Sequence, residues 1–207
     1  EREESLRDLF DAFFNPSEYD NTGTDTEFGN QVAAFTSQFV LPGPVPMAVY
    51  FEYAGEDTSA LSNLRLGNSA LSAGLRLPKI GERFDLTFEI SEWQNAWYVH
   101  GIYQDGLRHE GNVIGHWGGD ERLLNDGVGA RSVMARMGWQ PRFGGMLEAT
   151  YRSLSNEDYT LAGYSSGRKL EARYSRPWQQ FLIGGEIDVG EDVFGSSYSR
   201  VSAFIRF

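Results

Sequence analysis

The chain has 207 residues, with 18 Lys and Arg against 29 Asp and Glu, and its formal net charge of −11 argues against a nucleic-acid-binding surface. It has no cysteine, which excludes a disulfide framework and a thiolate zinc site. Glycine and aromatic residues are abundant, and no apolar run approaches the roughly 20 residues of a membrane-spanning helix. A membrane barrel stays open, because its strands need only about 9–11 residues. The chain starts at Glu1 without a signal peptide, which reads as a processed or truncated product.

In chain order, residues 4–14 predict a helix. Ser5 and Asp8 resemble a capping box, Leu6, Leu9, Phe10 and Phe13 fall at helical spacing, and Asn15-Pro16 ends the run. Residues 1–28 are thus expected to be a helix and polar segment, serving as a plug or lying outside. Residues 29–207 are expected to be barrel strands.

From Asn30 onward the apolar residues alternate with period two. One face carries Ala33, Phe35, Phe39; Met47, Val49, Phe51, Tyr53; Leu71, Ala73, Leu75, Leu77; and Phe84, Leu86, Phe88, Ile90. It continues with Val133, Ala135, Met137; Leu147, Ala149, Tyr151; Leu170, Ala172, Tyr174; Phe181, Ile183, Ile187; and Val201, Ala203, Ile205, Phe207. The opposite face carries Glu52, Arg76, Glu89, Arg136, Glu148, Arg152, Arg173, Glu186 and Arg200, the expected lumen-facing set. A soluble sandwich would bury the apolar face, whereas an outer-membrane barrel turns it outward.

Short connections at 42–45, 78–82, 140–143 and 177–179 alternate with longer ones at about 54–65, 92–126, 154–167 and 189–197, as periplasmic turns alternate with external loops. Trp139 and Trp178 fall at the short turns, where an interfacial aromatic girdle would place them. The closing run Ser199 to Phe207 looks like the last strand of an outer-membrane barrel, with a periplasmic C-terminus. The fold expected is therefore all-β: a transmembrane antiparallel outer-membrane β-barrel segment of about nine strands. An odd count suggests part of a larger barrel whose missing strands come from the same or another chain. The alternative is an eight-stranded barrel that closes alone.

Gly29-Asn30-Gln31 and the run Val45 to Asp57 resemble a strand pair of the capsule assembly (Wzi-type) outer-membrane family. His100 to His109, Gly111 to His116 and Gly118 to Asp120 are similar to that family's most distinctive loop, and Phe13 to Pro16 fits the segment upstream. The resemblance corresponds to about the last half of the family's barrel. It implies a barrel of about 18 strands in a Gram-negative outer membrane, holding capsular or related exopolysaccharide at the cell surface without catalysis.

The loop around 93–126 holds the candidate polysaccharide-binding residues Trp93, Trp97, Tyr98, His100, Tyr103, Asp105, His116, Trp117, Asp120 and Arg122. Aromatic faces stack on sugar rings, and the polar groups hydrogen-bond hydroxyls or pair with uronic acids. The competing reading is that these aromatics form the loop's own small core. The histidines match no metal-binding spacing. The acidic clusters at 56–57, 120–121, 156–158 and 191–192 are candidate calcium sites, bridging to lipopolysaccharide of the surrounding lipid, or are simply solvated. No nucleophile elbow, phosphate loop or zinc motif is present, so no enzyme is expected. Two further readings are a porin-like channel lined by the charged rows and a structural subunit of a surface assembly.

Overall fold

The computed structural model describes residues 32–59, 62–95, 97, 99, 108–109, 112–113, 127–156 and 163–207. Nine strands form one sheet in chain order: β1 (Val32–Leu41), β2 (Met47–Ser59), β3 (Ser62–Ile80), β4 (Phe84–Trp93), β7 (Ala130–Trp139), β8 (Met146–Asn156), β9 (Gly167–Trp178), β10 (Phe181–Glu191) and β11 (Ser197–Arg206). A separate two-residue ladder pairs β5 (Arg108–His109) with β6 (Asn112–Val113) inside the long β4–β7 connection. Every pairing in the large sheet is antiparallel. The expected helix at 4–14 lies outside the described residues.

Register follows from the period-two pattern, because a slip of one residue would exchange the two faces of a strand. One row runs Phe39, Val49, Leu75, Phe88, Ala135, Tyr151, Leu170, Val189. The adjacent row on the other face runs Arg76, Thr87, Arg136, Thr150, Glu171, Asp188, Arg200. All nine expected lumen-facing residues share this second face.

Burial shows which face is covered. The apolar face is open: Phe35, Phe39, Phe51, Leu71, Phe88, Ile90, Val201 and Ile205 are all exposed, Val201 at 77%. The charged face contains the buried positions instead, including Ala48, Ala54, Ser91, Trp93, Ala130, Ser132, Leu154 and Asp188. A sheet that exposes its aliphatic face and covers its charged one is inside out relative to a water-soluble core.

The outward face also has aromatic ends. At the short-turn end Phe84 stacks on Trp139 at 6.2 Å, Phe143 packs against Trp139 and Tyr174, and Trp178 packs on Phe181. At the loop end Phe35 stacks on Tyr53 at 6.5 Å. From Phe84 to Glu92 the outward residues of β4 advance about 27 Å along the strand. At a barrel tilt of about 40° that is roughly 21 Å of height, close to the ~25 Å apolar band of outer-membrane barrels.

Two of the four long connections are different from the sequence expectation. The β2–β3 connection is strand nearly to its tip, with β2 and β3 continuing to Ser59 and Ser62, and register shifts beyond Ala54 mark where this hairpin leaves the regular ladder. The β10–β11 connection narrows to 192–196, where the Asp192 side chain accepts hydrogen bonds from the Phe194 and Ser196 amides. Gly, Ser and acidic residues there read as loop, but the side-chain-capped turn lets the strands run on. β1 and β11, the two outer strands, both run from the loop end toward the short-turn end.

Candidate functional site

On the charged face, β1 to β4 enclose a recess of about 520 Å³ at the base of the long β4–β7 connection. Its lining is rich in hydroxyl and carboxylate groups: Thr36, Gln38, Tyr50, Glu52, Ser72, Glu89 and Ser91. Tyr50 donates a hydrogen bond to Glu89 Oε2 at 2.6 Å, and Ser91 donates to Glu89 Oε1 at 3.5 Å. The Ser72 and Ser91 hydroxyls are 3.0 Å apart. The Arg76 guanidinium lies over the Tyr50 ring at 4.8 Å.

Tyr50 reaches Glu89 only because β3 has Gly74 between them. A Cβ at Gly74 would overlap the Tyr50 ring, so the absent side chain is the space the ring occupies. Phe204 uses Gly184 of β10 in the same way, and its ring is flanked by Arg173 and Arg206 guanidiniums at 4.7 and 5.0 Å.

The upper wall of the recess is aromatic. Trp93 and Trp97 are both buried, in a cluster with Ala54, Ala130, Leu154 and Val193. Gln94 holds the chain where it leaves β4: its backbone N–H donates to the Ser69 carbonyl at 2.9 Å, and its side-chain oxygen accepts from the Ser69 amide at 3.1 Å. The Trp97 amide then donates to the Gln94 carbonyl. Trp93 and Trp97 thus fix the root of the loop against the sheet, and both also line the recess.

A second recess of about 770 Å³ lies farther round the same face, among β7 to β11. Here charges are committed to one another. Arg136 bridges Asp85, at 2.6 Å, and Glu148, so one guanidinium ties β4, β7 and β8. Asp188 of β10, 1% exposed, lies between Lys169 of β9, at 3.3 Å, and Arg200 of β11, whose Nε donates to it at 2.9 Å. Lys169 also pairs with Glu171 at 3.0 Å, and Arg200 with Glu186 at 3.7 Å.

The carboxylates of Glu171, Glu186 and Asp188 lie within 4.8 Å of one another, a spacing that fits a cation. Lys169 and Arg200 already supply positive charge among them, and a metal ion would have to displace these donors. Of the acidic pairs considered for calcium, Glu56 is buried within β2, and Asp192 serves its turn.

Of the candidate polysaccharide residues, Trp93 and Trp97 lie together at the first recess. Tyr98, His100, Tyr103, Asp105, His116, Trp117, Asp120 and Arg122 lie outside the described residues. Tyr50, Lys169, Thr36 and Gln38 escaped the sequence reading. Glycine at the facing position of the next strand is the one local hint of a ring laid across it.

The inside-out sheet, the aromatic ends and the crowded charged face fit a segment of barrel wall, and residues 1–123 match the family model for capsule assembly protein Wzi. The chain belongs to that family. A solved structure of Wzi from Escherichia coli, an outer-membrane protein involved in group 1 capsule assembly and a carbohydrate-binding β-barrel, superposes with a TM-score of 0.61 at 15% identity. The match covers 99% of this chain and 44% of that one, so the chain spans less than half the length of that Wzi. No curated protein matches the chain. The family match ends at residue 123, before β7, whereas the structural match continues through the remaining strands of this Wzi-family chain.

Proposed function

We propose that these strands form part of an outer-membrane barrel wall that binds capsular or related polysaccharide and holds it at the cell surface, without catalysis. The observation that carries the reading is the first recess. It offers hydroxyl, amide and carboxylate groups to sugar hydroxyls beneath two tryptophans, at the root of the long β4–β7 connection. The exposed apolar face supports insertion in the membrane, and the short-turn end then faces the periplasm with the C-terminus.

The paired charges of the second recess favour a braced wall over a porin-type ring. Arg136 and Arg200 are each engaged by two carboxylates, whereas an ion-selective constriction presents one sign of charge to the permeating ion. Capsule retention in a deletion strain tests the anchoring role. Polysaccharide should shift from the cell-bound to the released fraction at equal total synthesis, and unchanged retention would refute anchoring.

A further inference from the structure

The outward face carries a recess that polysaccharide binding does not use. At the loop end of β1 to β4, Phe35, Phe51, Tyr53, Leu71 and Ile90 line an apolar groove of about 680 Å³. Small residues at Ser37 and Ala73 leave a trough between the larger side chains. It spans three inter-strand spacings, about 14 Å, wide enough for several acyl chains abreast.

One end of the groove is ionic. Glu92 and Arg131 follow Leu71 in the outermost row, and Arg131 directs Nε and Nη2 to Glu92 Oε2 at 3.0 and 2.7 Å. Both side chains are more than half exposed. An exposed ion pair on an otherwise apolar outward face belongs where hydrocarbon gives way to headgroups. Glu92 takes the Nε/Nη2 edge of the guanidinium, and the Nη1 side, which this pair does not use, can meet an anionic headgroup.

We infer that this groove binds the lipopolysaccharide of the outer leaflet, with acyl chains along Phe35, Phe51, Leu71 and Ile90 and a lipid A phosphate on Arg131. The inference rests on the outer-membrane reading, which makes the loop end the external one. Phosphate is the anion a guanidinium reads best, and the external leaflet presents it on a multiply acylated lipid.

The test uses the full-length protein carrying these strands, extracted from membranes and incubated with bisphosphorylated lipid A, its dephosphorylated form or phosphatidylethanolamine. Native mass spectrometry then scores retained lipid. Bisphosphorylated lipid A should be retained at least tenfold more than the dephosphorylated form. R131E should remove that preference, and R131K should keep it within about threefold. Equal retention of the two lipid A forms, or indifference to R131E, would overturn the inference. Preferred phosphatidylethanolamine would assign the groove to phospholipid, and a stoichiometric protein shielding Leu71 would make it a protein interface; either refutes the inference. Membrane fractionation and heat-modifiable migration of the same samples separate the two levels. Failure there refutes outer-membrane insertion itself, whereas normal insertion without lipid selectivity refutes only the groove.

Discussion

Tyr50 and Glu89 meet across a strand that separates them, the hydroxyl donating at 2.6 Å over the bare backbone of Gly74. Three strands are thereby joined by one side chain, which explains why a glycine interrupts β3 in mid-ladder. Gly74→Ala should lower stability by about 1–3 kcal/mol by displacing the ring, and Tyr50→Ala alone should cost a similar amount. Because both changes remove the same contact, the double variant should cost clearly less than the sum. Unfolding midpoints in urea, followed by heat-modifiable migration, supply the comparison; strict additivity would show that the ring and the glycine act separately.

Asp188 is the hinge of the second network. Asp188→Ala leaves Lys169 and Arg200 without their shared carboxylate and should cost about 1–3 kcal/mol. The lower half of that range is expected, because the Arg200 side chain is 65% exposed. Asp188→Asn keeps a hydrogen-bond acceptor and should cost less. Equal unfolding midpoints for both variants and the parent would show that Glu171 and Glu186 fully replace it.

Sugar binding should be separable from packing at the first recess. Glu52 is exposed and lines it, so Glu52→Gln should weaken retention of soluble polysaccharide several-fold with an unchanged unfolding midpoint. Trp97→Ala removes a buried side chain and should cost about 3–5 kcal/mol. Isothermal titration with polysaccharide fragments, run beside the unfolding series, distinguishes the two effects.

Depth along the outward face should grade the cost of charge. Phe88→Arg lies near the middle of the apolar band and should cost about 2–4 kcal/mol, whereas a charge at the Glu92 level should cost about 0–1 kcal/mol. Vesicle insertion yields of Phe88→Arg and Glu92→Lys give the gradient. Equal yields would mean that this face does not meet hydrocarbon.

Planar-bilayer recording of the full-length protein addresses the lumen. Engaged charges such as Arg136 with Asp85 and Glu148 predict no large stable currents. Sustained high conductance would restore the channel reading.

Much of this architecture is legible in the alternation of residues. Phe84, Leu86, Phe88 and Ile90 declare their face without knowledge of any partner strand, because period two is a local property. Who meets whom is not local. Arg136 finds Asp85 fifty-one residues away, and only the folded register decides that these charges are neighbours. Tyr50 carries no signal that its ring crosses a strand, since the space belongs to Gly74. The sequence leaves Trp93 and Trp97 between sugar stacking and loop packing, with packing the favoured role for a single aromatic, and their burial depends on Ala54, Ala130, Leu154 and Val193, four residues from four other segments. The 189–197 connection reads longer in sequence than it is, because Asp192 is a turn-former whose carboxylate permits a tighter reversal than its polar neighbours suggest.

The shared direction of β1 and β11 imposes a rule on assembly. Joined to each other, they would make a parallel seam in a wall whose other pairings are antiparallel, and a second copy in the same orientation would make two such seams. An all-antiparallel ring built on these strands therefore needs an odd number of additional strands, with both flanking strands running from the short-turn end toward the loop end. Among the described residues the outer edges of β1 and β11 pair with no other strand, and an amide or carbonyl left unpaired in hydrocarbon costs several kcal/mol. Closing the ring and entering the bilayer would therefore be coupled steps, since every edge strand that finds a neighbour removes a row of polar groups from hydrocarbon.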